Sequence, residues 1–209
     1  MTKKLDITVA IPAHPARVEK GMLDRAVQSV EQQLLPAADI SIAIDENGDG
    51  AAVTRQRALD AVKTEWVAFL DSDDWFYPEH LKVLAAGARI FNASYVFSYY
   101  MVHFPDGKPW PANDPLGHFG KQFNPAKPHQ TTITTLVRTE LAKKIGFQDP
   151  PEGAEIGGHR GGEDWFFTVG CAQAGAKMVH VPRRTWAWVH HGANSSGIPG
   201  QGDAAARQT

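Results

Sequence analysis

Cysteine is almost absent. Cys171 stands alone in 209 residues, which excludes an intrachain disulfide framework and fits a reducing compartment. It lies in "FFTVGCAQAG", a small-residue helical pattern in which a thiol reads as core packing and not as a nucleophile. Long apolar runs are missing too. No stretch approaches the roughly 18 apolar residues of a membrane span. The lysines in "MTKKLDITVAIPAH" precede only a short apolar run that Pro12 ends, the pattern of a strand and not of a signal peptide. A soluble, cytoplasmic protein is the expectation. No charge of one sign prevails. Lys plus Arg is 21 and Asp plus Glu is 23, a net charge of −2, so nothing points to nucleic acid or an anionic membrane as partner. Neither GxGxxG after the first strand nor GxxxxGK[ST] anywhere is found, which weighs against a dinucleotide dehydrogenase or a P-loop enzyme.

What is present is a soluble globular composition, 43% hydrophobic and 21% charged, long enough for one domain with a substantial core. No internal repeat or composition break divides it. Asp6–Ile11 reads as a buried strand. Leu23, Ala26, Val27, Val30 and Leu34 recur at helical spacing. Asp39–Ile44 is a strand, Ala51–Val62 a helix and Glu65–Leu70 a strand. This alternation predicts a mostly parallel α/β sheet flanked by helices. Ligands of such sheets bind at the carboxyl ends of the strands, where "IPAHPAR", "IDENGDG" and "LDSDD" begin. Further on, Pro78–Arg89 reads as a helix and Ser94–Phe104 as a strand. Phe104–Pro128 reads as a long loop or lid. "TTITTLV" is a strand, Thr139–Ile145 a helix closing at Gly146, and Pro150–Gly162 a Gly-rich loop. Glu163–Ala174 is a helix, and "KMVHV" and "TWAWVHH" are two last strands. Gly192–Thr209 is small, polar and expected to be flexible.

The acid-rich turn in "FLDSDDWF" carries the first chemistry. Strand termination and a helix N-cap would account for isolated acids. In an extended segment, however, Asp71 and Asp73 project to the same side, and like charges held close need a cation or donors to offset them. Hard oxygen ligands on one rim suit Mg²⁺ or Mn²⁺, bound through one or two carboxylates plus substrate phosphates.

Taken together, "DITVAIPAHPARVEKGMLDRAVQSVEQQ", "IAIDENGDGAAVTRQRAL" and "EWVAFLDSDDWFYPEHL" resemble a GT-A glycosyltransferase of the family 2 type. "VRTELAKKIGFQD" and "GGEDWFF" are similar to later segments of that family, so the resemblance covers roughly residues 6–196. It implies a single GT-A domain over residues 1–191, with a nucleotide-sugar half to about residue 104 and an acceptor half over 105–191. It also implies a nucleoside-diphosphate sugar donor, UDP- or GDP-linked, with Mn²⁺ or Mg²⁺ on its diphosphate. By position, Asp71 would contact the ribose or the metal, Asp73 would be the principal metal ligand, and Asp74 would cap or brace the loop. Pro12, Ala13, His14, Arg17 and Ser72 fall in the donor-binding segments. Asp45 and Glu46 match the paired acids at the nucleobase, with Glu46 departing from the usual Asp and Pro15 standing near the usual Asn. Arg55 matches an arginine near the base or diphosphate, or is an exposed helical arginine.

In "GGEDWFF", two acids at a helix start favour the helix dipole with no chemistry. A glycosyl acceptor needs a general base, usually a carboxylate, and the resemblance assigns that role to Asp164, with Glu163 positioning the acceptor or the loop. Gly161 and Gly162 allow close approach or a sharp turn. Trp165 stacks on a sugar or packs, with packing favoured. His80, His103 and His180 read as structural. His190 and His191 point opposite ways, and the family's late His-x-x-x-Ser setting matches His191 with Ser195 as a third metal ligand. Trp110 and His129, with the 104–128 segment, are where an unidentified acceptor would be read. The implied reaction is metal-dependent, inverting glycosyl transfer. A nucleotidyltransferase lacks its Gly-rich loop here, and a non-catalytic sugar-binding module should have lost either the Asp pair or the later base.

Overall fold

The computed structural model describes residues 5–104, 106–110, 114, 117–129, 131–156, 158 and 161–191. The expected flexible tail, 192–209, and with it Ser195, lies outside them.

The two-residue period of the first strands divides the core. In β1 (Ile7–Ala13), Ile7, Val9, Ile11 and Ala13 face one way and Ala10 the other. β2 (Asp39–Ile44) and β3 (Trp66–Phe69) flank β1, both parallel to it. A strand with neighbours on both edges and helices on both faces is apolar throughout, and β3 is buried along its whole length. Helices α2 (Met22–Glu31) and α4 (His80–Ile90) cover the Ile7–Val9–Ile11 face. α2 turns Leu23, Ala26 and Val30 inward at helical spacing, and follows the short α1 (Pro15–Glu19). The opposite face packs against α3 (Ala51–Asp60), α5 (Thr139–Ile145) and α6 (Glu163–Gln173). There Phe69 meets Phe147 and Phe167 edge-on at 5.3 and 5.5 Å. Cys171 is buried in this layer, and burial pushes its thiol up to about 12, as expected of a packing residue.

The remaining strands are β4 (Trp75–Phe76), β5 (Tyr95–His103), β6 (Thr135–Arg138) and β7 (Met178–Val189). The sheet order is β2-β1-β3-β6-β5-β7-β4. The α/β fold matches expectation, but the sheet is mixed and not mostly parallel. The pairs β3–β6, β5–β6 and β4–β7 are antiparallel. The reason is connectivity. Among the described residues between β5 and β6 there is no crossover helix, the element that joins parallel strands. The two expected last strands are one, because β7 runs through Pro182–Arg184 with register shifts against β5. Gly87 lets α4 lie close on this strand, since a Cβ there would sit 2.7 Å from the Val181 methyl. Among the described residues, no helix is long and apolar enough to cross a membrane.

Candidate active site

The carboxyl ends of β1, β2 and β3 open on a cavity of about 760 Å³. Pro12, Ala13, His14 and Arg17 line it from beyond β1, Asp45 and Arg55 from beyond β2, and Asp71–Asp74 from beyond β3. Glu163 and Asp164 join them from the start of α6. Of the expected donor residues, Glu46 does not line it. Glu46 is exposed in the turn after β2.

Asp71–Asp74 is a β-turn, closed by the Asp74 N–H donating to the Asp71 carbonyl at 3.0 Å. Asp71 and Asp73 therefore share the cavity through a turn and not through the alternation of an extended strand. Asp73 is a meeting point. Its Oδ2 accepts from Arg17 Nε at 3.0 Å, pairs with the Arg17 terminal nitrogen at 2.9 Å and meets His191 Nε2 at 2.9 Å. Its backbone carbonyl accepts from Arg25 at 3.0 Å, whose guanidinium lies over the Trp75 ring. His190 instead donates its backbone N–H to the His103 carbonyl. Asp74 does not cap α4, which begins after Glu79 without a side-chain cap. It braces the loop, accepting from the Val189 N–H at 2.8 Å. Burial, reinforced by Asp73 and Asp71, holds the Asp74 carboxyl well above the usual range.

Asp45 accepts from the backbone N–H groups of Asp49 and Gly50 at 2.7 and 3.1 Å, shaping the entry to α3. Gly50, at φ 93°, stands just before that helix. Gly50, Ala51 and Thr54, all in the cavity wall, escaped the sequence reading, although the Asp-Gly step ahead of a helix marks the turn. His14 caps α1 by accepting from the Ala16 N–H at 3.1 Å.

Arg55 is neither exposed nor simply part of a donor surface. One terminal nitrogen pairs with Asp71 at 2.6 Å and the other with Glu163. Burial alone would lower its pKa, but Asp71 above all, with Asp164 and Asp73, holds it above the ordinary value. Asp164 accepts from the Trp165 N–H at 2.7 Å. Burial raises its carboxyl above the usual range, against the pull of Arg55. Trp165 is fully buried and packs. Gly161 serves that packing. A Cβ there would stand 2.3 Å from the Trp165 ring, so the close approach it permits is to an indole.

Trp110 and His129 are not among the cavity-lining residues. Trp110 stacks on Phe104 at 5.1 Å. His129 lies 4.5 Å from the His118 ring, and burial, helped by His118, pulls it down to about 4. Between them in sequence, Gln122 is tied to β7. The Gln122 side-chain amide donates to the His180 carbonyl and accepts from the His180 N–H, both at 2.9 Å. The aromatic that does line the cavity is Trp188, on the strand before His190. His80 and His180 are buried, and His103 donates through Nδ1 to the Gly107 carbonyl while its Nε2 meets the Tyr77 hydroxyl, which agrees with structural roles.

The Asp71, Asp73 and His191 side chains are hard and borderline donors that suit Mg²⁺ or Mn²⁺. Among the described residues, no group of three His, Cys, Asp or Glu side chains is gathered closely enough to hold an ion unaided.

The family described as "Glycosyl transferase family 2" matches residues 24–146, more than half of the chain. The chain belongs to glycosyl transferase family 2. This family 2 member is similar in fold to crystal structures of S. aureus TarS. For TarS 1-349 the TM-score is 0.64 at 18% identity, with 88% of this chain and 60% of that one covered. For its complex with UDP-GlcNAc the TM-score is 0.65 at 17% identity, with 93% and 60% covered. A complex with UDP gives 0.64 at 18%, with 89% and 61% covered. The likeness is one of fold, GT-A, and the chain spans about three fifths of the length of that fragment. Comparison with curated proteins finds no match.

Proposed function

We propose that this chain moves a sugar from a nucleoside-diphosphate sugar to an acceptor hydroxyl, inverting the anomeric centre, with Mn²⁺ or Mg²⁺ at the donor diphosphate. One observation carries the reading. Asp71 and Asp73, from the turn after β3, share a single cavity with Asp164, which arrives from α6 some ninety positions later. The TarS complexes with UDP and UDP-GlcNAc favour a uridine donor over a guanosine one. Asp71 and Asp73, with His191 beside Asp73, would hold the cation together with the donor's own phosphates, and the cation supplies charge neutralisation on the departing nucleoside diphosphate. Arg17 reaches the same turn and is the more exposed of the two cavity arginines, 30% against 11% for Arg55, so it is placed to meet phosphate oxygens. Asp164 takes the acceptor proton as the hydroxyl attacks. Its raised pKa makes it a stronger proton acceptor than an ordinary carboxylate. A single displacement from the side opposite the leaving group inverts the carbon.

The test is calorimetric titration of UDP and GDP with Mn²⁺ and again with EDTA, followed by an assay of UDP-sugar hydrolysis. Binding that needs metal, and hydrolysis that follows it, are expected. Equal affinity under both conditions ends the metal assignment, and no binding of either nucleotide ends the donor assignment.

A further inference from the structure

Among the described residues, Arg55 is the side chain whose ion pairs reach both chemical groupings of the cavity. It rises from α3, pairs through one arm with Asp71 in the turn after β3, and through the other with Glu163, the first residue of α6. Its Nε, buried, has no partner among the described residues. A planar guanidinium with both terminal nitrogens on carboxylates is committed to a fixed fork geometry. Breaking either arm leaves a buried charge uncompensated, so displacement of one carboxylate is felt by the other.

We infer that Arg55 is a positioning residue that couples the donor turn to the acceptor-side helix, transmitting occupancy at Asp71 to the start of α6, where Asp164 sits. This rests on the reading of Asp71 as a donor-side group and Asp164 as the base. It differs from the donor contact that family resemblance implies for Arg55. When a cation or ribose engages Asp71, the arm on Asp71 loosens and the arm on Glu163 tightens. Glu163 and its neighbour Asp164 are drawn into one orientation. Trp165 and Phe166, whose N–H groups bond back to the Gly162 carbonyl at 3.1 and 3.2 Å, report how firmly that first turn is set.

The experiment is hydrogen exchange at the Trp165 and Phe166 amides, with and without UDP plus Mn²⁺. In the wild type the ligand slows their exchange by roughly 5–150-fold, the usual range of coupling between sites. In Arg55→Met, UDP still binds and residues 71–74 still respond, but the two α6 amides do not. Arg55→Lys, with one cationic head for two carboxylates, restores part of the response. If Arg55→Met does not fold, Glu163→Gln cuts the α6 arm alone and should abolish the same response. Three results overturn the inference: α6 amides that ignore UDP in the wild type, amides that still respond in Arg55→Met, or a folded Arg55→Met that has lost UDP altogether, which makes Arg55 a direct donor contact. If neither UDP nor GDP binds the wild type, the donor reading has failed. The coupling is then read without ligand. Asp71→Asn must alter exchange at Trp165 and Phe166 when Arg55 is present and leave it unaltered when Arg55 is Met, and any other result overturns the inference.

Discussion

Asp73 and Asp164 line the same cavity and carry the same functional group, yet they are held in contrasting ways. Asp73 draws Arg17 and His191 onto one oxygen from two distant segments. Among the described residues no ion pair reaches Asp164. It accepts hydrogen bonds from backbone N–H groups, that of Trp165 among them, and burial raises its proton affinity. The Asp73 carboxylate stands among cationic and imidazole partners. The Asp164 carboxylate is wrapped in protein with backbone hydrogen-bond donors, and its burial raises its proton affinity. Environment, not residue type, separates the two.

The contrast is broken most decisively at Asp164. Asp164→Asn keeps the shape and removes the basicity, so transfer to the true acceptor should fall roughly 10²–10⁴-fold, while calorimetry finds nucleotide–metal affinity nearly unchanged. Wild-type transfer by a folded variant places the base elsewhere. Asp73→Asn should do the reverse. Metal-dependent UDP affinity should fall on the order of 10²-fold, the upper end of losses seen even for outer-shell partners, and the EDTA-resistant remainder should be unaffected. His191→Ala should show a smaller loss in the same titration, and one that exceeds any loss in His190→Ala, because only His191 meets Asp73.

The support under each group gives finer tests. Gly161→Ala drives a methyl into the Trp165 ring, an overpacking that costs about 1–3 kcal/mol. Chemical denaturation should register it, and transfer should suffer more than donor binding. On the Asp73 side, His80 begins α4, stacked on Phe76 at 3.9 Å and bonded to Thr185 at 2.7 Å. Burial pulls its pKa down to about 3. A depressed folded value means the imidazole is neutral in the native protein and charged in the unfolded chain below pH 6.5 or so. Its contribution to stability is therefore whole above that pH and is lost as pH falls from there toward 3, at about 1.4 kcal/mol per unit. Melting curves between pH 7 and 4 should show that slope, and His80→Gln should flatten it.

Much of this was legible in the residues. The turn at Asp71–Asp74 announced itself by acid density directly after an apolar strand, and Thr139–Ile145 by its closing glycine. Other features depend on contacts between remote segments. β4 is two residues long and exists because Trp75 and Phe76 pair with Ala187 and Trp186, which no local pattern encodes. Pro182 and the two arginines after it read as a break, yet β5 carries the strand past them by shifting register. Arg55 read either as an arginine near the base or diphosphate or as an exposed helical one, and its two carboxylate partners, sixteen and more than a hundred positions away, were not visible locally. Trp188 was lost in an aromatic run, where alternation alone does not say which indole faces the cavity. Glu46 was given a role by analogy with a neighbour, and the turn sends it to solvent.

The bond from Asp74 to the Val189 N–H spans 115 positions, and β4 closes only on β7. During synthesis, the segment around Asp71–Asp74 leaves the ribosome long before the strand that completes it. Contacts of such sequence separation form late, since loop closure must precede them. The Asp71–Asp74 turn is thus made well before it acquires its final shape, and a nascent chain halted before Val189 would hold Arg17 and Arg55 for Asp73 and Asp71 but lack the Val189 N–H that Asp74 accepts and the His191 that meets Asp73.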